Sequence, residues 1–285
     1  MGVLSIQWYP GHMTRARRAI AESMAKQDVV IEVLDARMPR ASENPVVTEL
    51  RGGKPCVKVL SKSDLADPAV TRAWLLHFEK VGAVSRGPGG RVLAVAVTTA
   101  RAPETRARIA EACAALARPT RGRKAARAMI VGIPNVGKST LVNTLARRKV
   151  ANVGDEPAVT KGEQVVVLEG GMTLSDNPGI LWPKIEDERG ALLLAFGGAI
   201  PDAALDYESV ALFGAGVLLE RYPALLARRY GLAALPGDAD SLLVEIGRRR
   251  GCLRGGGVVD RHKAADVLIH DFRSGVLGPI SLERP

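Results

Sequence analysis

The sequence predicts an α/β fold: a mostly parallel, helix-covered sheet followed by a smaller C-terminal α-helical domain. Three observations carry this. Over the first 184 residues, apolar runs of strand length alternate with helical stretches, the order that builds a parallel sheet. One of those runs leads through a glycine-rich loop into a helix, the setting of a phosphate-binding turn. After about Lys184 the strand-like runs stop, and alanine- and leucine-rich stretches with arginine clusters take over. The expected division is therefore 1–184 and 185–285, with no fixed-period repeat in either part.

The elements follow in order. Residues 14–27 read as a helix with Thr14 as N-cap, one apolar stripe, and Arg15, Arg17 and Arg18 on the opposite face. DVVIEVLD is a buried strand that ends at Asp35 and runs into a loop. KPCVKVL (54–60) is a second strand, followed by the polar turn SKSDL and a helix over 69–81. RVLAVAV (91–97) is a third strand and 102–117 an alanine- and arginine-rich helix. The connector RPTRGRKAARA (118–128) is basic, and reads equally as a solvated linker or a polyanion-contacting segment. AMIVGI (128–133) is a short strand, 139–148 a helix, and 163–168 with 172–175 a hairpin around Gly170-Gly171. Arg228-Arg229, Arg248–Arg250 and the glycine run 255–257 punctuate the C-terminal helices.

Composition narrows the class of protein. Hydrophobic residues at 47% and charged residues at 25% allow a sizeable core and exclude a disordered chain. Lys+Arg 40 against Asp+Glu 30 leaves a net charge of +10, which favours a polyanionic partner. Three scattered cysteines, none in a CxxC pair, argue against a disulfide scaffold or a thiolate zinc site. No apolar run approaches the roughly 18–20 residues a membrane span needs. The N-terminal segment has neither the signal-peptide pattern nor, with Ile6 where Ser or Thr is wanted, the myristoylation pattern. A soluble cytoplasmic protein is the expectation.

The chemistry concentrates in four segments. Residues 132–139, GIPNVGKS, fit G-x-x-x-x-G-K-[ST] in full, between a strand and a helix. Backbone N–H groups of Asn135, Val136, Gly137, Lys138, Ser139 and Thr140 can wrap phosphates, and the helix N-terminus favours negative charge. The Lys138 ammonium reaches the β- and γ-phosphates, while the Ser139 hydroxyl can ligate Mg²⁺. Asp176-Asn177-Pro178-Gly179 follows the hairpin; the Asp176 carboxylate can hold Mg²⁺ and the Gly179 N–H can sense the γ-phosphate, although a plain turn explains the tetrapeptide equally well. Thr160, in the intervening loop, is a candidate switch residue closing over metal and phosphate. Ser61-Lys62-Ser63-Asp64 ends a strand and resembles N/T-K-x-D. There the Asp64 carboxylate would accept from guanine N1–H and the 2-amino group, and the Lys62 stem would lie over the base. Ser61 departs from the usual Asn, and a helix N-cap remains a competing explanation of the segment. Thr98-Thr99 at the end of the next strand is the candidate second base loop.

These motifs resemble those of translation-factor-type GTPases in a shuffled order, with base reading first, the P-loop next and the switch elements last. The chain is similar to the circularly permuted GTPases, and most closely to the ribosome biogenesis GTPase A, or YlqF, family. The resemblance runs through WYPGHMTRARR (8–18), LDARMP (34–39), SKSDL (61–65), GIPNVGKSTLVN (132–143), PGILWPK (178–184), GGAI (197–200) and DFRSGVLGPISLE (271–283). It implies a circularly permuted P-loop GTPase domain over 1–184 and a helical RNA- or ribosome-binding domain over 185–285. It also implies GTP/GDP and Mg²⁺ as ligands, and a switch role in late assembly of the large (50S) ribosomal subunit.

Where Ras-like enzymes carry a water-orienting glutamine, this chain has Ile180, which cannot orient water. The resemblance gives that role to His12, against the alternative that His12 packs near the first helix. It also allows K⁺ beside the phosphates through Asn135, against simple loop geometry. The implied partners are the large-subunit precursor and rRNA, with no membrane and a monomer in solution. Trp8 and Tyr9 read as packing residues, with RNA stacking as the alternative; His77, His262 and His270 read as ordinary helix or surface residues. Two other functions stay open: a small-molecule P-loop phosphotransferase, and an RNA-binding scaffold that holds nucleotide with little turnover.

Overall fold

The computed structural model describes residues 10–84, 90–117, 126–148, 164–167, 172–176, 187–200 and 206–285; the side chains of 10–16, 83–84, 164–166 and 176 lie outside that description. The chain divides into two compact units, one holding Glu186–Leu282 and the other Ser5–Ile185 with Glu283–Pro285.

The larger unit is built on a six-stranded sheet. Its strands are β1 (Val29–Asp35), β2 (Cys56–Ser61), β3 (Val92–Ala96), β4 (Arg127–Val131), β5 (Gln164–Val167) and β6 (Thr173–Asp176), in the spatial order β3-β2-β1-β4-β6-β5. All neighbours pair parallel except β5, which pairs antiparallel with β6 at the edge. Every residue of β1 and β2 is buried, which is why both strands are near-continuous apolar runs rather than alternating ones. The helices are α1 (Pro10–Ala25), α2 (Pro45–Arg51), α3 (Pro68–Val84), α4 (Ala102–Leu116) and α5 (Lys138–Ala146). Leu34, Leu60 and Ala96 pack under Trp74 and Phe78 of α3, while Val30, Met129 and Val131 pack under Ile20 and Met24 of α1 and Val47 of α2.

Two sequence expectations need correction. The first helix begins at Pro10 rather than behind Thr14, which lies inside it. Proline costs a first helical turn no hydrogen bond, so Pro10 starts the helix and the cap preference of threonine misleads. α2 has no counterpart in the sequence reading: seven residues are too few for helical periodicity, although Asn44 caps it by accepting from the Val46 N–H and Pro45 opens it. The two strands of the expected hairpin are present as β5 and β6.

The smaller unit is helical: α6 (Glu188–Phe196), α7 (Tyr207–Arg221), α8 (Pro223–Tyr230), α9 (Ala239–Arg249) and α10 (Arg261–Arg273). Asp187, Asp206, Asp238 and Asp260 cap α6, α7, α9 and α10, each accepting a backbone N–H from the first turn. Phe196 and Phe272 stack with ring centres 4.5 Å apart, and Gly214 on α7 gives the Phe196 ring its room, since a Cβ there would lie 2.2 Å from it. Arg229 holds Asp271 through two 2.8 Å bonds. The three cysteines are buried free thiols. Among the described residues no single helix is long and apolar enough to cross a membrane.

Candidate nucleotide site

A parallel sheet sends the loops after its strands to one edge. The registers Asp35↔Ser61, Leu60↔Ala96 and Ile130↔Asp176 bring the ends of β1, β2, β3, β4 and β6 to that edge. Chain order runs outward from β1 through β2 to β3, while β4 lies on the other side of β1. The crevice between β1 and β4 is thus the topological switch point, where ligands bind in open α/β sheets.

The loop after β4 occupies it. Gly132 follows the strand at φ 154°, and a Cβ there would lie 2.6 Å from the Val33 carbonyl oxygen, so only glycine lets β4 and β1 run this close. Asn135 (φ 58°) and Gly137 (φ 96°) hold the left-handed backbone that curls the loop. Gly137 stands at the N-cap of α5, so its helix dipole and first N–H groups face the curl. Lys138 is buried and its Nζ donates to the Ile133 carbonyl at 2.8 Å, holding the cation inside the loop. Ser139 and Thr140 are half-buried in the first turn of α5.

The loop after β2 touches this one directly. The Ser61 hydroxyl lies 2.5 Å from the Val136 carbonyl and 2.9 Å from that of Leu34, and its single proton is shared between them. Lys62 Nζ donates to the Asn135 carbonyl at 2.8 Å and to Asp35 Oδ2 at 2.9 Å. Lys62 itself sits at φ 54°, backbone strain of the kind that collects at ligand sites. The Ser63 N–H donates to the Val97 carbonyl at 3.2 Å, tying this loop to the end of β3. Asp64 is exposed beside it. Thr98 accepts from the Ala100 N–H with its hydroxyl, and its carbonyl accepts from Thr105 at 2.7 Å; Thr99 is exposed.

Sequence reasoning missed what lies beneath. Asp35 is fully buried and clasped by Arg37, with Nε and the backbone N–H both on Oδ1 at 3.0 Å and Nη2 on Oδ2 at 2.8 Å. Burial by itself would raise this carboxyl, but Arg37 and Lys62 together hold it well below the usual carboxylate range. Asp35 thus anchors Lys62, and through it the P-loop. The signal available was a charged D-x-R directly behind an apolar run, which periodicity treats as a strand end.

The structure therefore brings together Ser61, Lys62, Ser63 and Asp64 with Asn135, Val136, Gly137, Lys138, Ser139 and Thr140, and joins Thr98 and Thr99 to them through Val97. Asp176 ends β6 beside β4, its side chain outside the described residues; Thr160 and Gly179 lie wholly outside them. His12 falls in the first turn of α1, its side chain likewise outside; Trp8, Tyr9 and Ile180 are not among the described residues. Among the described residues no cluster of His, Cys, Asp or Glu could by itself hold a metal ion.

A glycine-curled phosphate loop at the switch point, clamped to a second loop of base-reading pattern, defines a P-loop nucleotide-binding protein of the GTPase class. Comparison with known proteins agrees. The family model described as 50S ribosome-binding GTPase matches residues 127–204. The ribosome biogenesis GTPase A of Bacillus pumilus is 41% identical over 285 residues, covering 99% of each chain. A GDP-bound structure of TM YlqF superposes with a TM-score of 0.67 at 28% identity, over 94% of this chain and 99% of the other. The GNP-bound YlqF from T. maritima gives 0.65 at 29% identity, over 95% and 98%. The chain belongs to the ribosome biogenesis GTPase A family and is a GTPase.

Proposed function

We propose that this protein is a ribosome-associated GTPase that works as a nucleotide-dependent switch in late assembly of the large (50S) subunit, binding rRNA in the cytoplasm as a monomer. The observation that carries the reading is the clamp of Ser61 and Lys62 onto the carbonyls of Val136 and Asn135, which ties the base loop and the phosphate loop into one cradle. In that cradle Asp64 reads guanine, flanked by Thr98 and Thr99, while Lys138 and the N–H groups of residues 135–140 hold the phosphates. The family name and those of relatives, such as the mitochondrial ribosome-associated GTPase 1 of Bos taurus at 32% identity, support the ribosomal destination.

The motif order supports a circular permutation. All nucleotide loops leave one edge of one sheet, so opening the chain between different strands leaves the site intact. The oxygen donors fit a hard cation: the Ser139 hydroxyl on the first turn of α5, and Asp176 at the end of the strand paired with β4. With Thr160 they would hold Mg²⁺, which when bound neutralises charge on the β- and γ-phosphates. Asn135 is the residue we assign to a K⁺ ion. The Gly179 N–H senses the γ-phosphate, and ordering of residues 176–184 passes nucleotide state to the helical domain, read as the RNA- or ribosome-binding domain over 185–285. His12 supplies the hydrogen bond that orients water, because Ile180 cannot.

The test is co-sedimentation of the purified protein with large subunits in GTP, GDP and no nucleotide, together with GTP turnover of wild type and His12→Ala, with and without particles. GTP-dependent binding, particle-stimulated turnover and a loss of stimulation in His12→Ala are expected. Binding indifferent to nucleotide would overturn the switch reading.

A further inference from the structure

The opposite edge of the same sheet carries a second concentration of charge. A concave surface of about 1050 Å³ opens where α1, α2 and α4 end, lined by Lys26, Arg51, Lys54, Arg91 and Arg127, with Asp28 as the single carboxylate among the described residues. The cations have a structural part to play. Lys54 Nζ donates to the Ala25 and Gln27 carbonyls at 3.2 and 2.8 Å, Arg51 Nη1 to the Lys54 carbonyl at 2.7 Å, and Arg91 Nη1 to the Ala115 carbonyl at 3.4 Å. Lys54 and Arg91 thereby complement the C-terminal ends of α1 and α4, while Arg51 braces the loop after α2. Those acceptors are neutral, however, so the bonds orient the cations without cancelling their charge.

Asp28 accepts from the Arg127 backbone N–H at 2.8 Å. Lys26, Arg91 and Arg127 are exposed. Five cations facing one carboxylate is a much steeper imbalance than the 40 to 30 of the whole chain. The spread of point charges over this surface suits a repeating phosphodiester rather than one compact anion. It lies across the sheet from the P-loop, at the N-terminal ends of the parallel strands.

We propose that this N-terminal edge of the sheet is a second binding surface, which grips the sugar–phosphate backbone of structured RNA without reading bases. The choice of RNA rests on the ribosomal reading above; the charge geometry does not.

The experiment uses the full chain and a fluorescent double-stranded RNA hairpin, followed by anisotropy between about 50 and 200 mM salt. Lys26→Gln, Arg91→Gln and Arg127→Gln are combined in one variant. All three side chains are exposed, and Lys54 and Arg51 stay to hold the helix ends. A control carries Arg18→Gln, Arg72→Gln and Lys80→Gln, exposed cations of the same unit outside this surface, so that net charge matches. The first variant should bind RNA at least about tenfold more weakly than the control, with its salt slope reduced by about one for each phosphate contact removed. GTP turnover without RNA should equal wild type. Equal loss in both variants, or loss in neither, overturns the surface while leaving the ribosomal reading intact. A wild type that fails to bind the hairpin overturns the surface as well, and the large-subunit sedimentation then decides the ribosomal reading separately.

Discussion

Lys138 shows what one residue contributes to the site. Its ammonium is folded back onto the Ile133 carbonyl, so a cation is already in place inside the phosphate loop. Charge-assisted bonds to phosphate are worth about 1.5–3 kcal/mol. Lys138→Ala should therefore weaken GTP and GDP binding by at least about tenfold in calorimetric titration, and unchanged affinity would remove the phosphate loop from the argument. Asp35 works differently, through its partners. Its carboxyl is held below the ordinary range, so its stabilisation is complete above the unfolded-state value near 4 and is lost as pH falls toward its folded value. Asp35→Asn should cost about 3–5 kcal/mol in urea unfolding at pH 7, because Arg37 stays buried without its counter-charge. The variant should also show a flatter loss of stability than wild type below about pH 5. Ser139, Lys138 and Asp64 could be picked out from the sequence because their motifs have fixed spacing. Asp35 and Arg37 could not: their importance comes from Lys62, 27 residues away from Asp35, and from the P-loop beyond it.

At the scale of elements, close approaches decide what a substitution costs. Gly132 sits where β4 meets the Val33 carbonyl, a backbone oxygen that cannot give way as a side-chain tip could. Gly132→Ala should depress both thermal stability and nucleotide affinity, whereas a variant with wild-type melting and binding would mean that the strands separate freely. Gly214 is the helical counterpart. Its neighbour is the Phe196 ring, packed in turn on Phe272, so Gly214→Ala overpacks the α6–α7 contact. Overpacking of this sort costs about 1–3 kcal/mol, to be read as a lower melting temperature with GTP turnover largely kept. The strands were legible as apolar runs and the smaller unit as alanine- and leucine-rich helical stretches, while the Asp caps of α6, α7, α9 and α10 emerged only in the structure. The short α2 and the start of α1 at Pro10 were not, because local caps and proline geometry outweigh periodicity over a few residues.

For the whole molecule, an excess of ten positive charges makes association with a ribosomal particle an electrolyte-sensitive process. The proposed binding to large subunits, measured by sedimentation, should weaken linearly on logarithmic axes as salt rises, with a slope of several units. A flat dependence would mean that apolar contacts, not phosphates, hold the complex. Sequence by itself determined the α/β class, the phosphate loop, the candidate base loop and the family, since each depends on short-range spacing or on residue identity. Only the tertiary structure decided that Ser61 and Lys62 lock onto Asn135 and Val136, that a buried Asp35–Arg37 pair anchors the lock, and that five cations gather at the far edge of the sheet. Those features join residues distant in sequence, and strand order in the sheet, which no local pattern encodes, sets which of them meet.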